Sequence, residues 1–413
     1  MYLLGVLLCS LWALCYGSPN VLVLLADDLG YGDLSLPPFT GGGIATPSLE
    51  MMAKSSVVLT NFHVAAPVCT PSRAAMLTGV FPHRLGIDWI FGSGPQAADH
   101  LSVVPNAANI FRAAGYHTAH VGKWHLGGMR PEDIRARERF ASANDSKKCA
   151  PPGINQHGFE EYIAMQEGQG SMRLGTLIKK NRLYKDGAQY LYRNDKPYKK
   201  SFDDLTKRQG DEVINIIETC VEKKEKFYMH FWFDAPHKPL EAIEPHAQGI
   251  LDLAERANSH GLQNRALTNQ EKYTTMVMQM DAQIGRVLGT LDRLGIAEDT
   301  IVVFTSDNGS TMQPMRAYDH LPSAHLAGRK SDAWEGGHRV PFIIYWKGKI
   351  QPTVSDVPVI AMDLFPTFSE LIGAPLPSDR KYDGVSLTPL WKAGTIARSA
   401  DEPFYYYNCE NLQ

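Results

Sequence analysis

Four apolar runs of strand length, each followed within a few residues by charged or titratable side chains, constrain what this 413-residue chain can fold into more than any other feature. Residues 20–26 (NVLVLLA) lead to Asp27 and Asp28, and residues 116–121 lead to Lys123 and His125. Residues 226–233 (KFYMHFWF) lead to His237, and residues 300–306 (TIVVFTS) lead to Asp307 and Asn308. Runs of this kind suit parallel strands covered on both faces. Helical signals lie between them: Gly115 stops a helix over 106–114, residues 203–224 carry Val213, Ile216, Ile217 and Cys220 at helical spacing, and Thr268 to Glu271 forms a capping box. The expected architecture is α/β, a mostly parallel sheet flanked by helices. Its strands would share one C-terminal edge, where open α/β sheets bind ligands, so residues far apart in sequence would converge there.

A second stretch, residues 69–79 (CTPSRAAMLTG), places a cysteine and an arginine at a helix start, with Pro71 suited to the first turn and Gly79 to the stop. Helix N-termini favour anions. Asp27, Asp28, Asp307 and the Asn308 amide make an all-oxygen donor set for a hard divalent cation, Ca²⁺ or Mg²⁺, rather than zinc. Arg73, Lys123 and Lys330 would add positive charge for a small oxyanion, and His125 and His237 could move protons. These residues describe a metal-dependent hydrolase for esters of an oxyacid.

The motifs resemble those of the type I sulfatases, the arylsulfatase and N-acetylgalactosamine-6-sulfatase branch above all. Residues 69–79 are similar to that family's first signature and residues 122–127 (GKWHLG) to its second, in order with the Asp27-Asp28 and Asp307-Asn308 pairs. The resemblance implies an alkaline-phosphatase-like fold. It also implies that a formylglycine-generating enzyme oxidises Cys69 to formylglycine, whose hydrate attacks sulfur to form a sulfated enzyme. By the same resemblance Asp27, Asp28, Asp307 and Asn308 bind one Ca²⁺, which also meets the modified Cys69. Arg73 and Lys123 hold the modified residue, and Lys330 contacts the sulfate. His237 protonates the leaving oxygen, and His125 takes the proton when sulfate is expelled. Lys238 and His338 read as structural or substrate-facing, and Glu335 with Arg339 as a structural pair at the outer wall.

Residues 1–17 read as a signal peptide, which predicts the secretory pathway with a lysosomal or secreted destination. A catalytic domain is expected over 18–390, and 391–413, with PFYYY at 403–407, as the start of a truncated antiparallel C-terminal subdomain. Cys149, Cys220 and Cys409 leave room for one disulfide and one free thiol. Asn144 is a glycosylation acceptor in a polar loop, within a site-covering insertion expected over 130–204. A net charge of −3 gives no reason for nucleic acid or an anionic membrane as partner. The expected partners are a sulfated small molecule or glycan and the modifying enzyme, with a homodimer left open. Two rivals stand beside the sulfatase reading: a phosphodiesterase or phosphonate hydrolase of the same superfamily, and a truncated, inactive sulfatase-like binding protein.

Overall fold

Strand β1 (Asn20–Ala26) runs through the middle of the sheet with all seven residues buried. The computed structural model describes residues 18–39, 43–91, 101–128, 152–165, 191–198, 204–257, 266–311, 326–393, 398 and 402–406. The other strands follow as β2 (Ser56–Leu59), β3 (Phe62–His63), β4 (His117–Lys123), β5 (Glu161–Met165), β6 (Tyr192–Arg193), β7 (Lys196–Pro197) and β8 (Phe227–Trp232). Then come β9 (Thr300–Ser306), β10 (Phe342–Tyr345), β11 (Thr353–Ser355) and β12 (Val359–Ile360). Ten of them form one sheet in the order β11-β2-β10-β9-β1-β8-β4-β5-β6-β7, and β12 pairs with β3 apart from it.

Helices cover both faces. They are α1 (Pro47–Ala53), α2 (Cys69–Thr78), α3 (Ala107–Ala113), α4 (Leu205–Lys223), α5 (His246–Ala257), α6 (Asn269–Arg293), α7 (Glu335–His338), α8 (Leu364–Leu371) and α9 (Thr388–Ala393). Because a strand's side chains alternate, Val21, Val23 and Leu25 enter one core with α2, α3 and α8, while Leu22, Leu24 and Ala26 enter the other with α4 and α6. Each fully buried Val or Leu contributes about 1.5–3 kcal/mol, so β1 ties the two layers together. Thr268 caps α6 by accepting from Glu271 N, the reciprocal capping box expected there.

The five strands β9, β1, β8, β4 and β5 are parallel, as expected. Their registers align the ends: Ala26 lies beside Ser306, Leu25 beside Trp232, and Trp232 beside Gly122. Strand β10 is the antiparallel member of this mostly parallel part of the sheet, running against both β9 and β2. Its start, Phe342, therefore lies beside Thr305 and Leu59, at the edge where the parallel strands end. That reversal delivers the segment before β10, including Lys330 and α7, to the site edge. Strands β2 and β3 follow each other closely; β2 ends at the same edge, from which the chain runs on through β3 to α2.

Residues 402–406 carry no strand where a subdomain's first strand was expected. No described strand hydrogen-bonds to them; their rings pack on histidines instead, Tyr406 stacking on His338 with centroids 3.8 Å apart and Phe404 lying 5.5 Å from His63. Residues 1–17, Asn144, Cys149, Cys409 and most of the 130–204 insertion lie outside the described residues. Cys220 is a buried free thiol. Among the described residues no helix is long and apolar enough to cross a membrane.

Candidate active site

Cys69 is the first residue of α2, a helix whose ten residues are all buried. Extended Val68 precedes it, and Gly79 in the left-handed region closes it by donating to Ala75 O. Side chains in the first turn pin the loop around it: Thr70 Oγ1 donates to His125 O at 3.0 Å and Ser72 Oγ to Ala66 O at 2.7 Å. Two lysines from other elements converge on the sulfur, with Lys123 Nζ at 3.3 Å and Lys330 Nζ at 3.2 Å from Cys69 Sγ. Asp27 Oδ1 is 3.7 Å from the same sulfur.

Three carboxylates and three cations interlock around it. Lys123 Nζ lies 2.8 Å from both Asp27 oxygens, and Lys330 Nζ lies 2.5 Å from Asp28 Oδ1. Arg73 donates through Nε to Asp307 Oδ2 at 2.8 Å and through Nη1 to Lys123 O at 2.9 Å, with Nη2 2.7 Å from Asp307 Oδ2. Its guanidinium sits over the Trp232 ring, 5.3 Å from the centroid. Backbone bonds aim the acids: Asp27 N donates to Ala235 O at 3.1 Å and Asp28 N to Asp307 Oδ1 at 3.2 Å.

Glycine at 122 is a steric requirement of this edge. With φ at +114°, a Cβ there would fall 1.7 Å from Trp232 O, so β4 can approach β8 only without a side chain. Gly309 meets the same limit, since a Cβ would fall 1.8 Å from Gly336 O where α7 closes on the Asp307 loop.

Burial opposes ionisation of Asp28 and Asp307, yet neighbouring cations hold both carboxyls below the usual range: Lys330 foremost for Asp28, Arg73 and then Lys123 for Asp307. Burial raises Asp27, against the pull of Lys123, and the two other carboxylates add to the rise. Burial and the Asp307 charge push the Cys69 thiol up to about 12, so it stays protonated among these groups. Burial, then Lys123, Arg73 and Lys330, lower His125 well below its ordinary value and leave the imidazole neutral. His237 Nδ1 lies 2.7 Å from Lys238 O, which can only accept, so Nδ1 donates there and Nε2 faces Asp28 Oδ2 at 3.5 Å.

The donor set fits a divalent cation. Asp27, Asp28, Cys69 and His237 each present a ligand atom within 4.8 Å of the others. Asp28 Oδ2 and Asn308 Oδ1 are buried without a hydrogen-bond donor among the described residues, a costly state that a hard cation would relieve.

All ten sequence-predicted site residues are described, and they gather at this edge. Asn308 donates through Nδ2 to Asp28 Oδ1 at 2.8 Å, which leaves its carbonyl oxygen as the atom for a ligand. His237 is part of the compact four-residue group, whereas Asp307 is occupied by Arg73. Glu335 and Arg339 form the expected ion pair at 2.9 Å, and His338 is buried against His63, Nδ1 to Nδ1 3.0 Å. Sequence reasoning missed Trp232 beneath Arg73, and Asp234, whose buried carboxyl is raised to about 7, chiefly by burial, and accepts from Gln209 Nε2 at 2.6 Å. Asp234 follows its strand as Asp27 and Asp307 follow theirs, so the strand-end pattern was the available signal.

The family model described as Sulfatase matches residues 19–374. The chain belongs to the sulfatase family. It is 30% identical to the N-acetylgalactosamine-6-sulfatase of Canis lupus familiaris over 95% of this chain and 69% of that protein. It is 29% identical to arylsulfatase G of Rattus norvegicus over 90% of this chain and 68% of the relative. Among solved structures, Ps i-CgsB in complex with k-i-k-neocarrahexaose superposes with a TM-score of 0.75 at 26% identity, covering 94% of this chain and 79% of that one. Like other sulfatases, this one is a hydrolase of sulfate esters, acting at the buried cysteine, aspartate and histidine cluster at the sheet edge.

Proposed function

We propose that this sulfatase cleaves a sulfate monoester of an aryl or carbohydrate alcohol, using Ca²⁺ and a formylglycine made from Cys69 by a formylglycine-generating enzyme in the secretory pathway. The observation that carries this reading is the convergence of Lys123 Nζ and Lys330 Nζ on Cys69 Sγ, beside Asp27. A protonated thiol is a poor nucleophile, and here burial, then the Asp307 charge, keeps it protonated. An oxygen nucleophile at the same position would be of use.

Asp27, Asp28, Asp307 and Asn308 are the residues that would hold Ca²⁺, with the side chain at 69 completing the set. When bound, the ion and the hydrated formylglycine supply Lewis acidity and an oxygen nucleophile for sulfur. The protein's own charges, three carboxylates against three cations, cancel without the ion. A divalent cation would leave the pocket about two charges positive, which suits the single negative charge of a sulfate monoester and the dianionic sulfate released from it. Lys123 and Lys330 neutralise the sulfuryl oxygens, and Arg73 keeps Asp307 and Asp27 in place. His237 Nε2, turned into the cluster, delivers a proton to the departing alcohol oxygen, and neutral His125 accepts one as sulfate leaves.

The test is mass spectrometry of the peptide containing Cys69 from cells that hold the modifying enzyme, joined to turnover of an aryl sulfate and an aryl phosphate. Formylglycine at 69 with faster sulfate turnover is expected. An unmodified thiol in every molecule would end the formylglycine reading, and preference for phosphate would favour the phosphodiesterase rival.

A further inference from the structure

Asp28 adopts φ of +66°, a left-handed backbone that a residue with a side chain seldom takes. Four bonds hold it and the two residues after it. Asp28 N donates to Asp307 Oδ1 at 3.2 Å, Leu29 N to Ser306 Oγ at 3.0 Å, and Gly30 N to Asp33 Oδ2 at 2.7 Å. Tyr273, which reaches up from α6, 245 residues away, shares its one hydroxyl proton between Asp33 Oδ2 at 2.5 Å and the Asp28 carbonyl oxygen at 3.1 Å. Tyr273 is 2% exposed, and Ser310 Oγ lies 3.3 Å from its hydroxyl. The tyrosine thus joins both ends of the 28–33 turn to the opposite layer of the fold.

We propose that Tyr273, together with Asp33, is a positioning residue that holds the left-handed turn at Asp28 and so aims the Asp28 carboxylate at the divalent cation. The inference rests on the Ca²⁺ reading above for its consequence, and on the turn itself for its geometry. A peptide rotation at Asp28 would swing its carboxylate away from Lys330, His237 and the Asn308 amide together, because all three meet that one side chain. Tyr273 touches none of the reacting groups and acts only through the Asp28 backbone.

The experiment compares the full chain with Tyr273→Phe, which keeps the ring and removes the hydroxyl. Titration calorimetry with CaCl₂ alone should show affinity lower by about three- to tenfold, the scale of one buried hydrogen bond. Amide hydrogen exchange should quicken across residues 27–33, with the unfolding temperature within a few degrees of the parent. Turnover of an aryl sulfate should fall in kcat with KM nearly unchanged. If Tyr273→Phe does not fold, Asp33→Asn, which weakens the same junction from its other side, is read in the same way. Unchanged exchange over 27–33 in the folded variant overturns the proposal. A parent enzyme that neither binds Ca²⁺ nor cleaves sulfate esters would instead refute the proposed function, and the exchange comparison would still decide the role of Tyr273.

Discussion

Arg73 and Asp307, 234 residues apart in the chain, form a fully buried ion pair in which two guanidinium nitrogens reach one carboxylate oxygen at 2.8 and 2.7 Å. The pair joins α2 to the end of β9. Removing one partner leaves the other charged and buried, which typically costs about 3–5 kcal/mol. Arg73→Ala should therefore unfold at much lower denaturant, and Arg73→Lys should recover only part of the loss, because a lysine cannot bond Asp307 and Lys123 O together while stacking on Trp232. Urea midpoints of the two variants check this; equal midpoints would refute the stacking and two-nitrogen argument.

Cys69→Ala is expected to abolish sulfate ester turnover while melting within a few degrees of the parent, since it removes one small buried atom and breaks no charge pair. Steady-state kinetics and calorimetry on the same sample separate the two effects. Residual turnover above about one thousandth of the parent's would show that the side chain at 69 is not the nucleophile's source.

Lys330 is about 10% exposed at its side chain, whereas Lys123 is fully buried. Lys330→Ala should cost about 10²–10³ in kcat/KM, as expected for one charge on a transition-state oxyanion. It should also cost some stability, less than Lys123→Ala, since buried Asp28 loses its nearest cation but keeps the Asn308 amide. Lys123→Ala should lose both activity and stability, because it leaves Asp27 unpaired in the interior. Kinetics paired with thermal unfolding for each variant tests the contrast.

Acid should act on the fold through its buried histidines before Asp28 and Asp307 titrate. Burial lowers His63 and His120 to about 3 and His338 to about 4, so between those values and about 6.5 the unfolded chain binds protons that the native state refuses. Native stability falls with pH in that window, by up to about 1.4 kcal/mol per pH unit for each such histidine. Asp28 and Asp307, held low by their cations, add a further loss only below about pH 4. Asp234 and Asp363, raised chiefly by burial to about 7 and about 6, bind protons in the native state and oppose this slope. Urea unfolding from about pH 8 to 3 of the parent and of His120→Phe isolates the histidine share. An unchanged slope between about 6.5 and 4.5 in the variant would contradict a buried neutral His120.

Gly122→Ala should destabilise by about 3 kcal/mol or more, since its Cβ would meet backbone at Trp232 O rather than a movable side chain. Because the clash separates β4 from β8, it should also displace Lys123 and Trp232. A thermal scan combined with aryl sulfatase assay should show both falling together.

The four apolar runs, their helices and the residue types at each strand end were legible in the sequence because hydrophobic periodicity and turn chemistry are local. β9 begins and ends where the pattern placed it, at Thr300 and Ser306. Cys69, Arg73, Asp27, Asp28, Asp307 and Asn308 were marked by their places at a helix start or after a strand together with the resemblance to the sulfatase signatures. Strand direction and the groups beneath the site were not, because both depend on contacts between segments hundreds of residues apart. Only the tertiary structure reversed β10 and so carried Lys330 to Cys69. It alone set Trp232 under Arg73 and Tyr273 under Asp28, where an aromatic residue in a buried strand or helix has no local mark that separates it from core. The sequence by itself determined which chemistry was on offer; the folding of separate strand ends to one edge decided which atoms could meet.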